Sequence, residues 1–121
     1  MKIYIISEEN LENDLFCFKK KNNINFKKFK LNINLKEKLN FIDNSVKNYL
    51  ILVTHEILSR KDNYYLMVSE IVRDNNVKFI EVGLKKSNVE ESKANSNTLI
   101  HGFGAKSWKM LEKFFVKELK S

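Results

Sequence analysis

The run Tyr49-Leu50-Ile51-Leu52-Val53-Thr54 is the most continuous apolar stretch in the chain, and it restricts the fold more than any other feature. It is too short for a good helix, and its apolar residues do not alternate with polar ones. A strand covered on both sides, at the centre of a parallel sheet, fits that pattern.

The segments around it supply what such a strand needs. Before it, Leu35, Leu39, Ile42 and Val46 recur at helical spacing, with Lys36, Glu37 and Lys38 on the outer side. After it, the polar stretch around Ser59 to Asn63 leads into a helix expected over Tyr64 to Asp74, with Tyr64, Val68 and Ile71 on one stripe and Asn75-Asn76 as its end. Val77 to Val82 then reads as a further strand, placed nearer the sheet edge because Lys78 and Glu81 interrupt it.

At the amino end, Met1 to Ser7 (MKIYIIS) reads as another buried strand. Ser7, Glu8 and Glu9 cap a helix whose face carries Leu11, Leu15 and Phe18. Ile24 to Ile33 is strand-like, but its apolar phase slips between Phe26 and Phe29, which suits a bulge or an edge position. Lys85 to Asn97 reads as a polar surface loop, and Thr98 to His101 as a short fifth strand before Gly102-Phe103-Gly104. A closing helix, about Ala105 to Lys120, carries Trp108, Leu111, Phe115 and Leu119 as a packing face. Strands alternating with helices predict a single α/β domain, a three-layer sandwich with a four- to five-stranded parallel sheet flanked by helices. The chain's 121 residues leave no room for a second domain.

Composition narrows the function. Cys17 is the sole cysteine, so an internal disulfide and a multi-cysteine zinc site are both excluded, and it reads as a buried, inert thiol. His55 and His101 lie far apart and form no metal-binding pair, so no metal is expected. No apolar run approaches the roughly 18–20 residues that span a bilayer, and the expectation is a soluble, cytoplasmic protein without a membrane partner. The formal charge of +7 favours anionic partners such as nucleotides. Nucleic acid is less favoured, because the lysines are spread out rather than gathered in an Arg-rich cluster.

In parallel α/β sheets, ligands bind beyond the carboxyl ends of the strands. That rule selects Ser7 to Asn10, Thr54 to Glu56, Gly83 to Lys85 and His101 to Gly104 as the lining of a site. Thr54, His55 and Glu56 offer a hydroxyl, an imidazole able to act as a base near neutral pH, and a carboxylate; they also read as solvated loop residues. Gly102 and Gly104 before a helix read either as a phosphate cradle or as a plain tight turn. Glu70, on the helix after the central strand, is positioned either as a surface acid or as an anion able to stabilise positive charge on a ribosyl ring.

Ile42-Asp-Asn-Ser45, the strand ending at Thr54, the following Glu56-Ile-Leu58-Ser59 and the helix bearing Glu70 resemble the middle of a TIR domain. The ending, from Ile100 through Ser107-Trp108 to Leu111, is similar to that family's last strand and Trp-bearing helix. The resemblance implies a flavodoxin-like fold and a homo-oligomer in immune signalling. It implies either cleavage of the nicotinamide glycosidic bond of NAD, or formation of a cyclised ADP-ribose signal, with NAD as substrate and no bound cofactor. Glu70 is then the counterpart of the catalytic glutamate, with Ser7, Thr54 and His55 near the ribose and phosphates. The alternative is a non-catalytic adaptor or sensor of the same build that binds a cyclic nucleotide or an oligonucleotide.

Overall fold

The computed structural model describes residues 2–8, 25–40, 42–56 and 58–83, together with 109, 112 and 113, which have helical backbone. Its elements are β1 (Lys2–Ser7), β2 (Lys27–Lys30), α1 (Leu35–Lys38), β3 (Asn48–Thr54), α2 (Asn63–Asp74) and β4 (Val77–Gly83). The helix expected after Ser7 with Cys17 in it, the Lys85 to Asn97 loop, the Thr98 to His101 strand and Gly102 to Gly104 lie outside the described residues, as does most of the closing helix.

The four strands form one all-parallel sheet in the order β2-β1-β3-β4. With the helices packed on it, this is the α/β architecture expected, and the order matches the first four strands of the flavodoxin-like arrangement. β3 lies inside the sheet, and all seven of its residues are buried. It is the doubly covered strand that its unbroken apolar run requires.

Side chains alternate between the two faces, and the register sets the layers. On the first face Tyr4, Ile6, Leu50, Leu52 and Phe79 pack with Leu35, Leu39 and Ile42, and with Tyr65, Val68 and Ile71 of α2. On the second, Ile3, Ile5, Tyr49, Ile51, Val53, Ile80 and Val82 are buried as well. β2 is outermost on its side and largely exposed, which settles the slipped apolar phase as an edge position. Its Phe29 alone turns inward, packing at 6.2 Å from the Tyr4 ring.

Three expectations are corrected. Among the described residues, the strand read over Ile24 to Ile33 covers only Lys27–Lys30. Tyr64, expected on the packing stripe of α2, is exposed, and its neighbour Tyr65 enters the core instead. The helix read from Leu35 to Val46 is a single turn, Leu35–Lys38. Asp43 ends any continuation, since its carboxylate accepts both the amide (2.9 Å) and the hydroxyl (2.6 Å) of Ser45 and so forms an Asx turn. Leu35, Leu39 and Ile42 are nonetheless all buried. The spacing reported which residues reach the core, but not how far the helix runs.

α2 matches its expected span within a residue. Asp62 caps it by accepting from the amides of Tyr64 (2.8 Å) and Tyr65 (3.3 Å). At the other end the Asn75 side chain donates to the Ile71 carbonyl at 2.9 Å. In a chain without proline, asparagines organise this end of the sheet. Buried Asn48 donates to the carbonyls of Asp43, Val46 and Asn76, and Asn44 bridges to Asn75 and to the amide of Asn76. The Asn48 Oδ1 atom is buried without a hydrogen-bond partner.

Candidate functional site at the carboxyl ends of the strands

From β1 the chain crosses to β2 on one side, and from β3 it crosses to β4 on the other. The neighbours β1 and β3 therefore flank the topological switch point, the place where ligands bind in open parallel α/β sheets. The residues there are Ser7 and Glu8 after β1, and Thr54, His55 and Glu56 after β3.

Ser7 closes β1 and is buried, with its carbonyl accepting the Leu31 amide at 2.9 Å. Glu8 carries the pairing one step further, its amide reaching the Val53 carbonyl at 3.4 Å. Its carboxylate in turn accepts the amide of His55, also at 3.4 Å. The buried Thr54 hydroxyl donates to the Glu56 carbonyl, which folds the chain into a tight turn and fixes His55, itself partly buried, at the rim. Glu8 and His55 are thus linked across the strand ends, whereas the Ser7 and Thr54 side chains, one register step apart, point to opposite faces of the sheet.

Glu70 lies elsewhere. It is about 10 Å along α2 from the helix start, and the helix runs back toward the amino ends of the strands. It bridges to α1, accepting from Lys36 Nζ at 2.7 Å with the two side chains 45% and 55% exposed. The hydrogen bond from Lys36, and then its positive charge, hold the Glu70 carboxyl below the usual glutamate range, so it is ionised at neutral pH. Gly102 and Gly104 lie outside the described residues.

A second charged pair went unnoticed in the sequence. Glu81 of β4 lies on the helix-covered face, beside Leu52, and is 2% exposed. Arg60, from the loop before α2, grips it with two parallel bonds of 2.6 and 2.8 Å and lies over the Tyr65 ring at 4.4 Å. Burial works against the Arg60 charge, but the bond and attraction to Glu81 outweigh it and raise the guanidinium pKa above its ordinary value. The pair ties the β3–α2 loop, which begins with His55, down onto β4. The only available signals were one acid inside VKFIEV and one arginine in a nearby loop.

Compared with known proteins, the chain matches no family model, no curated protein and no solved structure. Its chemistry must therefore be read from the site itself. Among the described residues, no three His, Cys, Asp or Glu side chains gather into a metal site, and no helix is long and apolar enough to cross a membrane. At these strand ends the Glu8 carboxylate and His55 are adjacent, with Thr54 on the same sheet face and Ser7 on the other. That set suits hydrogen bonding to the hydroxyl-rich ribose of a nucleotide.

Proposed function

We propose that the chain is a nucleotide-binding signalling module of TIR-like build, with its ligand at the switch point between β1 and β3. The observation that supports this reading is the link between Glu8 and His55, beside Thr54, at the switch point of a parallel sheet. The Glu8 carboxylate is suited to accept from ribose hydroxyls, and His55 to bond a phosphate or ring nitrogen. The net positive charge favours the approach of an anionic ligand.

The test is calorimetric titration with NAD, ADP-ribose and a cyclic dinucleotide, with nicotinamide release followed chromatographically. We expect saturable binding of at least one of them, weakened about fivefold by His55→Ala, the equivalent of one hydrogen bond. Absence of binding by all three at millimolar concentration overturns the reading.

A second reading, cleavage of the nicotinamide glycosidic bond of NAD, draws on Glu70. This carboxylate is ionised, half exposed and carried by the helix after β3, as the resemblance implies for a catalytic glutamate. Nicotinamide release that Glu70→Gln abolishes would establish this reading in place of ligand sensing. Binding without turnover establishes the first.

A further inference from the structure

β1 pairs with β3 along its whole length, from Lys2 beside Asn48 to Ser7 beside Val53. With β2 it pairs only from Tyr4 beside Lys27 onward. Below that point the two chains part and leave a cavity of about 270 Å³, lined by Lys2, Ile3, Tyr4, Asn25, Phe26 and Lys27. This cleft is at the amino end of the sheet, roughly 16 Å along β1 from Ser7 and therefore remote from the switch point.

Its lining has a consistent chemistry. Ile3 and Tyr4, buried on opposite faces of the sheet, supply its apolar floor at the strand edge, and Phe26 adds a partly buried ring. The Lys2 amide bonds to the Lys47 carbonyl on the β3 side, so the alternation of peptide groups turns those of Ile3 toward β2 and the cleft. Lys2 and Lys27 bring two ammonium groups, and the exposed Asn25 amide supplies both a donor and an acceptor.

Lys47, just before β3, and Lys78 of β4 place their ammonium groups 5.4 and 6.0 Å from the Tyr49 ring centre, so each of the four strands contributes a lysine at or near its amino end.

We propose that this cleft is a second ligand site, for a planar ring carrying a phosphate dianion and no larger than a mononucleotide. The ring lies against Phe26 and the apolar floor, with Asn25 at its edge, and the phosphate is held by Lys2 and Lys27. The volume is just below the usual range for drug-sized ligand sites, which limits an occupant to one ring and one anionic group.

The experiment is a backbone amide NMR titration of the full chain with adenosine 5′-monophosphate, adenosine and inorganic phosphate. Saturable shifts are expected at residues 2–4 and 25–27, with the monophosphate tighter than either fragment and its affinity falling as salt rises. Combining Lys2→Gln with Lys27→Gln weakens the monophosphate about tenfold, since two exposed charge contacts are lost. Phe26→Leu weakens adenosine and the monophosphate but leaves phosphate unchanged.

The proposal is overturned if the wild-type protein shows no saturable shift, or if the shifts appear at residues 7–8 and 53–56 instead. It is equally overturned if the lysine variant binds as tightly as the wild type. Binding at the amino end together with no binding at the switch point would support this site while removing the reading above.

Discussion

Glu81 is a carboxylate on an apolar sheet face, and it is tolerable there because Arg60 satisfies both of its oxygens. Removing one partner is therefore far more damaging than removing both. Arg60→Ala is expected to destabilise the fold by about 3 kcal/mol, measured by urea unfolding, because it leaves a buried charge uncompensated. Arg60→Met combined with Glu81→Leu should recover most of that loss; a double variant as unstable as the single one would show that the pair itself, and not the orphaned charge, sets the effect. The Lys36–Glu70 bridge is a different case, exposed and screened by solvent. Its carboxyl pKa is lowered in the folded state, so its contribution is fully present above the unfolded glutamate pKa and is lost as pH falls through the lower folded value. Lys36→Ala should raise the Glu70 midpoint in a carboxyl-carbon NMR titration, and an unchanged midpoint would mean that the bridge does not persist in solution.

At the scale of elements, α2 depends on its first turn. It begins without an acidic residue in that turn, so Asp62 is the group that satisfies its leading amides. Asp62→Ala should cost about 1 kcal/mol in thermal or urea unfolding, while Asp62→Asn should cost much less. α2 was legible because Val68 and Ile71 recur at helical spacing and Asn75-Asn76 ends it, although Tyr65 rather than Tyr64 completes the buried stripe and the Asp62 cap was not foreseen. β1, β3 and β4 were legible for a similar reason: runs apolar on both faces have few alternatives. The length of α1 was not legible, because its apolar spacing continues through Leu39, Ile42 and Val46, well past Lys38 where the helix ends. The rule that ligands gather at strand ends selected Ser7, Thr54 and His55 in the sequence, and the structure links one of them, His55, to Glu8. The Lys36–Glu70 and Arg60–Glu81 pairs could not, since they join residues 34 and 21 positions apart and exist only once the helices are docked.

For the whole molecule, burial is unevenly distributed across the sheet. β3 has no exposed residue, whereas β2 is exposed along most of its length. Native-state hydrogen exchange should accordingly find the slowest amides in β1 and β3 and much faster ones in β2, and uniform protection across the four strands would contradict this packing. The strand order also bears on synthesis. β1 leaves the ribosome well before β3, yet Lys2 to Ser7 take their full-length partner only from Asn48 to Val53. Until that later segment emerges, five buried residues of β1 have no sheet to enter, and the exposed β2 covers only part of one edge. The nascent chain must therefore carry its first apolar strand uncovered through the making of everything up to Thr54, and that interval is when this protein is most open to chaperones and to aggregation.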